Sequence, residues 1–167
     1  EKTASLTLNR ATDTTRQPGS TFKILAAYSA ALDAGGLTLA SVQDDAPYTY
    51  AGANGKSVNN YDRRYRGFTT LREAITDSIN IVTVKTLAQA GVSLGWQYVQ
   101  EYGFTTVDSR DMNEALALGG ITQGVSNLEL TAAYAAIANQ GTYIKPKFYT
   151  KILDHDGNVL IDNTTPE

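Results

Sequence analysis

The chain has 167 residues, 42% of them hydrophobic, and this length and composition suit one globular domain with a single core. Charged residues make up 19% and leave a net charge of -3, which argues against nucleic acid as a partner because no basic surface would attract its phosphates. The absence of Cys excludes disulfides and thiolate zinc sites, and a single His excludes most histidine metal sites, so we expect no metal site. We expect no cofactor either.

The N-terminal part of the chain predicts a short strand, a turn and a buried helix. Residues 4–8 suit a strand, and a polar stretch after them contains the turn signal Pro18-Gly19. Residues 20–34 carry apolar side chains at helical spacing on most sides and stop at two glycines, which predicts a buried helix. Residues 37–68 show no sustained period, and we interpret them as a long, partly ordered loop.

The rest of the chain predicts a run of helices followed by a hairpin. Thr70 to Glu73 and Ser126 to Glu129 both match a capping box, in which a hydroxyl and a carboxylate satisfy free amides where a helix begins. The predicted helices cover residues 70–77, 80–91, 93–102 and 126–139, and the predicted strands are 143–153 and 158–162 around a turn at 154–157. Three short helices in succession imply a helical lobe.

A hydroxyl and an amine stand three residues apart where the first helix is predicted to begin, in Ser20 and Lys23. This spacing places both side chains on one face of the first turn, within reach of a hydrogen bond. A serine becomes nucleophilic when a neighbouring base accepts its proton, and desolvation and the helix dipole both lower a lysine pKa toward the value that this requires. The alternative is an N-capping Ser with a surface Lys. His155 lies in an Asp-His-Asp-Gly turn, which does not favour a Ser-His mechanism.

Two Ser-x-Asn patterns are candidates for a second polar pair. Ser78 and Asn80 fall at the junction of two predicted helices, where a break in the backbone can aim side chains into a cleft, whereas Ser57 and Asn59 fall in the predicted loop. Local capping explains either pair equally well. Spacing alone leaves the choice between them open.

The segment around Ser20 resembles the active site of a known family. Residues 16–23 read RQPGSTFK and are similar to the Ser-x-x-Lys segment of penicillin-binding proteins, in particular the bifunctional class A kind. The resemblance assigns the second motif to Ser78 and Asn80, and it covers nearly the whole chain. Further matching segments are NYD (60–62), LREA (71–74), SIN (78–80), ALGG (117–120) and AYAAIANQG (133–141).

The resemblance implies a D,D-transpeptidase that cross-links peptidoglycan stem peptides and is inhibited by β-lactams. Ser20 would attack the carbonyl of a D-Ala-D-Ala stem peptide, release D-Ala and pass the acyl group to an amine of a neighbouring strand. Lys23 would accept the Ser20 proton, Ser78 would relay a proton to the leaving group, and Asn80 would hydrogen-bond Lys23 or the substrate amide. The expected location is the extracytoplasmic face of the bacterial membrane, in a membrane-anchored parent protein.

One motif of the family, Lys-Thr-Gly, is missing from the sequence. We therefore interpret residues 1–167 as a partial transpeptidase domain and expect an α+β fold, a mainly helical lobe with parts of an antiparallel β-sheet and an incomplete cleft. Such a fragment would be impaired as an enzyme, and its exposed sheet edges would favour oligomers. The alternatives are a serine β-lactamase or penicillin-sensing domain, and a non-catalytic domain that binds the cell wall.

Overall fold

The computed structural model describes residues 7–51 and 55–165, and over these ranges the fold is α+β, as predicted. The strand expected at residues 4–8 lies mostly outside the described residues. The strands are β1 (Thr15–Arg16), β2 (Val42–Asp45), β3 (Tyr48–Thr49), β4 (Ser57–Val58), β5 (Gly67–Thr70), β6 (Val125–Ser126), β7 (Lys151–Leu153) and β8 (Val159–Asp162). They form four separate antiparallel pairs, β1 with β6, β2 with β5, β3 with β4, and β7 with β8.

The helices begin and end close to the predicted residues. Helix α1 has three parts: a 3-10 turn (Gly19–Thr21), a π-helical segment (Ile24–Tyr28) and an α-helical end (Ser29–Asp33). The other helices are α2 (Leu71–Thr76), α3 (Asn80–Ala90), α4 (Val92–Glu101) and α5 (Asn127–Ala138), with short 3-10 helices at Ser109–Asp111 and Glu114–Leu118. The capping box at Ser126 and Glu129 is present in both directions, whereas at α2 only the Thr70 side chain caps the helix, by accepting from the Glu73 amide.

Helices α1 and α3 form the centre of the molecule. Phe22 and Leu25 of α1 pack in one cluster with Ile81, Val84 and Leu87 of α3, and each of these side chains is buried. Burying a side chain of this size contributes about 1.5–3 kcal/mol, so this interface supplies much of the driving force for folding. A second core cluster comprises Tyr28, Leu71, Ala74, Ile79 and Val82.

The prediction of an irregular loop over residues 37–68 is wrong for the four segments that form β2 to β5. β2 pairs with β5 from Val42, which lies opposite Thr70, to Asp45, which lies opposite Gly67. The loop prediction failed because β2 has no alternation of apolar and polar residues. Its sequence is Val-Gln-Asp-Asp, and its one buried residue is Asp45. A strand that buries a carboxylate gives no hydrophobic period to detect.

The C-terminal segment forms the predicted turn but a shorter first strand. β7 covers only Lys151–Leu153 of the predicted 143–153, in keeping with the Pro at 146, and β8 covers Val159–Asp162. Every residue of both strands is exposed. None of the helices in the described ranges has the length and hydropathy that a bilayer crossing requires.

Candidate active site

The backbone that leads to Ser20 is fixed by contacts with residues more than 100 positions away. β1 pairs with β6, and the Gln17 side chain accepts the Ile121 backbone N–H at 2.9 Å and donates back to the Ile121 carbonyl. After Pro18 the chain enters the 3-10 turn, where Ser20 is exposed. The segment therefore presents a hydroxyl to solvent from a backbone that is held in place just before it.

Two glycines from later in the chain, Gly119 and Gly124, pack closely against the backbone of this segment. Gly119 has a φ of 72°, and a Cβ on it would lie 2.6 Å from the Gly19 backbone nitrogen and 2.7 Å from the Gly19 oxygen. Gly124 has a φ of 71°, and a Cβ on it would lie 2.6 Å from the Arg16 carbonyl. No real Cβ tolerates such contacts with backbone, so glycine at both positions is required for packing as well as for conformation.

Lys23 lies one helical turn after Ser20 and points into the protein. Its side chain is only 3% exposed, and its Nζ donates to the Ser78 carbonyl at 2.5 Å, to Ser78 Oγ at 2.9 Å and to Asn80 Oδ1 at 2.6 Å. The structure therefore brings Lys23, Ser78 and Asn80 together. The alternative of a capping Ser with a surface Lys is wrong, because this lysine is buried.

Burial lowers the pKa of Lys23 to about 8. The cause is desolvation, since taking an ammonium out of water disfavours its charged form. Its three acceptors are uncharged oxygens, and among the described residues no carboxylate pairs with it. Lys23 is therefore an amine that can release its proton near neutral pH, which is the property a general base needs.

Ser78 reaches Lys23 because the backbone takes a left-handed conformation there. Its φ is 54°, its amide bonds to the Ile75 carbonyl at 3.3 Å, and the next amide, of Ile79, bonds to the Ala74 carbonyl at 2.9 Å. This pattern is the Schellman ending of α2, in which glycine is the usual left-handed residue. A serine there costs about 1–2 kcal/mol of backbone strain. The conformation turns both the carbonyl and the hydroxyl of Ser78 toward Lys23.

Other expectations for the site differ from what the structure shows. The predicted hydrogen bond between Ser20 and Lys23 is absent among the described residues. Ser57, on β4, is exposed and is not among the hydrogen-bond partners of Lys23 in the described residues, and the Asn59 backbone carbonyl instead accepts from Asn80 Nδ2 at 2.8 Å. The His155 side chain is 88% exposed beside Asp156, as expected of a turn residue.

Two buried polar residues near the N-terminus of α3, Asp45 and Asn60, were not predicted from the sequence as part of the site. Asp45 carried no signal, because a buried carboxylate in a short polar strand resembles a solvated loop. Asn60 appeared only inside a matching segment and without a role. Asn60 is 20 residues from Asn80 in sequence, so only the fold reveals that Asn60 accepts the Asn80 amide. No three His, Asp or Glu side chains in the described ranges converge as a metal site would require.

Fold and site together define a class: α+β proteins in which a Ser-x-x-Lys pair begins a buried helix. The lysine of this pair meets a Ser-x-Asn pair at the junction of two later helices, here α2 and α3. A family model described as the penicillin binding protein transpeptidase domain matches residues 1–167. The chain belongs to this family.

Individual relatives agree with the family assignment. Penicillin-binding protein 1F of Bacillus subtilis (strain 168) is 41% identical over 148 residues, which is 89% of this chain and 20% of the relative. Penicillin-binding protein 1A from Haemophilus influenzae has a solved structure with a TM-score of 0.83 and 34% identity, covering 96% of this chain and 23% of that one. Penicillin-binding protein A from M. tuberculosis, solved as a penicillin G acyl-enzyme complex, shares the fold at a TM-score of 0.81 and 22% identity, covering 97% of this chain and 41% of that one. The chain spans about a fifth of the length of the curated relatives it matches.

Proposed function

We propose that this chain carries the acylated serine of a D,D-transpeptidase that cross-links peptidoglycan stem peptides. The observation that carries the proposal is Lys23: an amine that is buried, held by neutral acceptors and placed one helical turn after an exposed serine. Membership of the penicillin-binding transpeptidase family supports the substrate class.

In the proposed reaction, the amine of Lys23 accepts the Ser20 proton while Ser20 Oγ bonds to the carbonyl carbon of the penultimate D-Ala. The tetrahedral intermediate then collapses, the peptide bond breaks, and the terminal D-Ala leaves with a proton on its amine. An amine of a second stem peptide attacks the resulting ester, and Ser20 regains its proton. A β-lactam enters the same sequence but stays attached, because its leaving group remains tethered.

The hydrogen bonds of Lys23 support a relay role for Ser78. An ammonium has three protons, which match the three acceptors around Nζ, whereas a neutral amine has two protons and a lone pair. The Ser78 carbonyl and Asn80 Oδ1 can only accept. The Ser78 hydroxyl is the one partner that can reverse and donate to the lone pair, so it is suited to carry a proton between Lys23 and the leaving amine.

A location outside the cytoplasmic membrane is part of the same proposal, because peptidoglycan strands are cross-linked there. It can be tested in cells with a β-lactam probe that does not cross the membrane. Labelling of intact protoplasts would support the location, and labelling only after lysis would contradict it.

The test of the function is covalent labelling of the full-length protein with a fluorescent penicillin, followed by peptide mapping. We expect one labelled peptide that contains Ser20, and none after Ser20→Ala. Label on Ser57 or Ser78 would contradict the assignment of the nucleophile. Rapid release of the label as hydrolysed penicillin would favour a β-lactamase, and absence of any label would favour a non-catalytic domain.

A further inference from the structure

The N-terminus of α3 is capped by a side chain from outside the helix. The first amides of a helix have no intrahelical partner, and Ile79, which precedes α3, offers no side-chain acceptor. Asn60 takes this role: its Oδ1 accepts the backbone N–H of Asn80 at 3.0 Å and that of Ile81 at 3.1 Å. Asn60 is only 3% exposed, so water does not compete for these amides.

The orientation of the Asn60 amide is set by Asp45, the fully buried residue at the end of β2, together with the Arg64 backbone carbonyl, which accepts from Asn60 Nδ2 at 2.8 Å. Asn60 Nδ2 donates to Asp45 Oδ1 at 2.8 Å and to Oδ2 at 3.0 Å, and Oδ2 also accepts the Arg66 backbone N–H at 3.0 Å. A carboxylate only accepts hydrogen bonds, so the NH₂ end of Asn60 must face Asp45. Its oxygen is thereby directed at α3.

The neighbouring residue fixes the side chain of Asn80. Asn80 Nδ2 donates to the Asn59 carbonyl at 2.8 Å, which leaves its Oδ1 to accept from Lys23 Nζ at 2.6 Å. Asn80 is therefore held at its backbone by Asn60 and at its carboxamide by Asn59. If the Asn60 amide turned around, a donor would face the α3 amides and this arrangement would be lost.

We propose that Asp45 and Asn60 are positioning residues of the acylation reaction, which hold the N-terminus of α3 so that Asn80 and Ser78 meet Lys23. The proposal rests on the function proposed above. The hydrogen bonds of Lys23 in the described residues go to Ser78 and Asn80, so Asp45 and Asn60 act through the amide of Asn80 and the direction of its side chain. Because Ser78 is two residues before Asn80, a shift of the N-terminus of α3 also displaces the Ser78 carbonyl and hydroxyl that accept from Lys23.

Two isosteric variants of the full-length protein test the pair. Asp45→Asn makes an NH₂ group face the NH₂ of Asn60, and Asn60→Asp makes a carboxylate face Asp45. We expect each to lower the penicillin acylation rate constant by about 10–10², with little change in the dissociation constant of the initial complex. Asn139→Ala, which removes the exposed asparagine immediately after α5, is the control and should leave both constants unchanged.

The double variant D45N/N60D separates positioning from general destabilisation. In it the amide at position 45 donates to the carboxylate at position 60, which still accepts the α3 amides, so the polarity of this pair is restored. The bond from position 60 to the Arg64 carbonyl stays lost, as it is in Asn60→Asp. We expect the double variant to acylate at least about threefold faster than the slower single variant, a non-additive coupling. A double loss equal to the product of the two single losses would overturn the proposal.

Crystal structures of Asp45→Asn and of the double variant supply a readout that does not need activity. We expect the contact between Asn80 Oδ1 and Lys23 Nζ to be broken in the single variant and present in the double one. An intact contact in Asp45→Asn overturns the proposal, whatever the rates are. If the parent protein is not labelled by penicillin, the proposed function fails, while the crystal structures still decide the positioning role. Should Asp45→Asn fail to fold, Asn60→Asp provides the same comparison.

Discussion

The surroundings of Lys23 and the β7–β8 hairpin are both rich in polar groups, but their hydrogen bonds differ in range. Lys23 contacts Ser78 and Asn80, which are 55 and 57 residues away, and all three lie where α1 meets α3. In the hairpin, Asp154 accepts from residues two and four positions later in its own turn. One network depends on the whole fold, and the other depends on a few neighbouring residues.

This difference explains why only one of the two regions can shift an amine toward a catalytic pKa. Local contacts form at the surface, where water still solvates a charged amine, so the free energy of the charged form changes little. When two distant elements meet, they can enclose the contacts between them. This enclosure removes water from Lys23 and so lowers its pKa. The cost is a set of buried polar groups that must all be paired, and among the described residues no buried side-chain polar atom lacks a partner.

The largest expected effect is the difference in acylation rate between variants of Lys23 and of His155, the histidine of the hairpin turn. Lys23→Ala should slow penicillin acylation of the full-length protein by about 10²–10⁴, the usual contribution of a general base. His155→Ala should leave the rate nearly unchanged, because this side chain is 88% exposed in a turn. Stopped-flow fluorescence measures both. The reverse order of effects would replace this mechanism with a Ser-His one.

The pH dependence of acylation should follow the buried lysine. Only neutral Lys23 can accept a proton, so the rate should rise tenfold per pH unit up to the pKa of about 8 and level off above it. At pH 6 we expect a rate about 10² below the plateau. Because the folded pKa lies below the value of 10.5 expected when unfolded, the unfolded chain binds more protons between these values, and stability should rise with pH across that window. A rate that does not change between pH 6 and 9 would contradict this assignment.

Two glycines with positive φ provide a matched pair across the two regions. Gly119→Ala forces a Cβ against the Gly19 backbone, whereas Gly157→Ala, in the hairpin turn, meets no atom within 4 Å. Both carry the strain of a left-handed alanine, about 1 kcal/mol, but only Gly119→Ala adds overpacking of about 1–3 kcal/mol. Urea unfolding measures the difference in stability.

The same pair should differ in activity. Displacing Gly19 moves the turn that carries Ser20, so Gly119→Ala should slow acylation by about 10–10². Gly157→Ala should acylate at the parent rate. Equal rates in the two variants would mean that the turn absorbs the extra methyl group and that close packing at Gly119 does not position the serine.

The helices were predictable from the sequence because their signals are local. Thr70 and Ser126 cap helices through residues three positions away, and the apolar spacing of residues 20–34 reports a buried helix directly. The short strands over residues 42–70 were not predictable, since β2 gains its order from pairing with β5, whose residues lie 22 to 28 positions further along the chain. Such pairing leaves no periodic trace in four mostly polar residues.

The resemblance predicted which polar pair lies beside Lys23, but not the geometry that brings the pair there. The resemblance selected Ser78 and Asn80 over Ser57 and Asn59, and the structure places the first pair against Lys23. The left-handed backbone of Ser78 and the buried Asp45 were not predictable, because serine rarely replaces glycine at a helix end and a carboxylate is usually solvated.

The smallest expected effect concerns a buried polar pair that lies in the same helical layer but outside the candidate site. Tyr28 is 1% exposed, and its hydroxyl lies 2.8 Å from Thr83 Oγ1, which itself donates to the Ile79 carbonyl at 2.6 Å. Since Thr83 has one hydroxyl proton and it is used, Tyr28 must be the donor of the pair. Burial raises the pKa of Tyr28 to about 12, so it keeps its proton throughout the neutral range.

This direction predicts unequal losses of stability. Tyr28→Phe removes the donor and should cost about 0.5–1.5 kcal/mol, because Thr83 keeps its bond to Ile79. Thr83→Val leaves a buried tyrosine hydroxyl without an acceptor and should cost about 1–3 kcal/mol, despite being nearly isosteric. Urea unfolding compares the two, with acylation rates as the control, and both variants should acylate at the parent rate. A larger loss for Tyr28→Phe would reverse the donor assignment, and slowed acylation would mean that this pair, like Asp45 and Asn60, reaches the surroundings of Lys23.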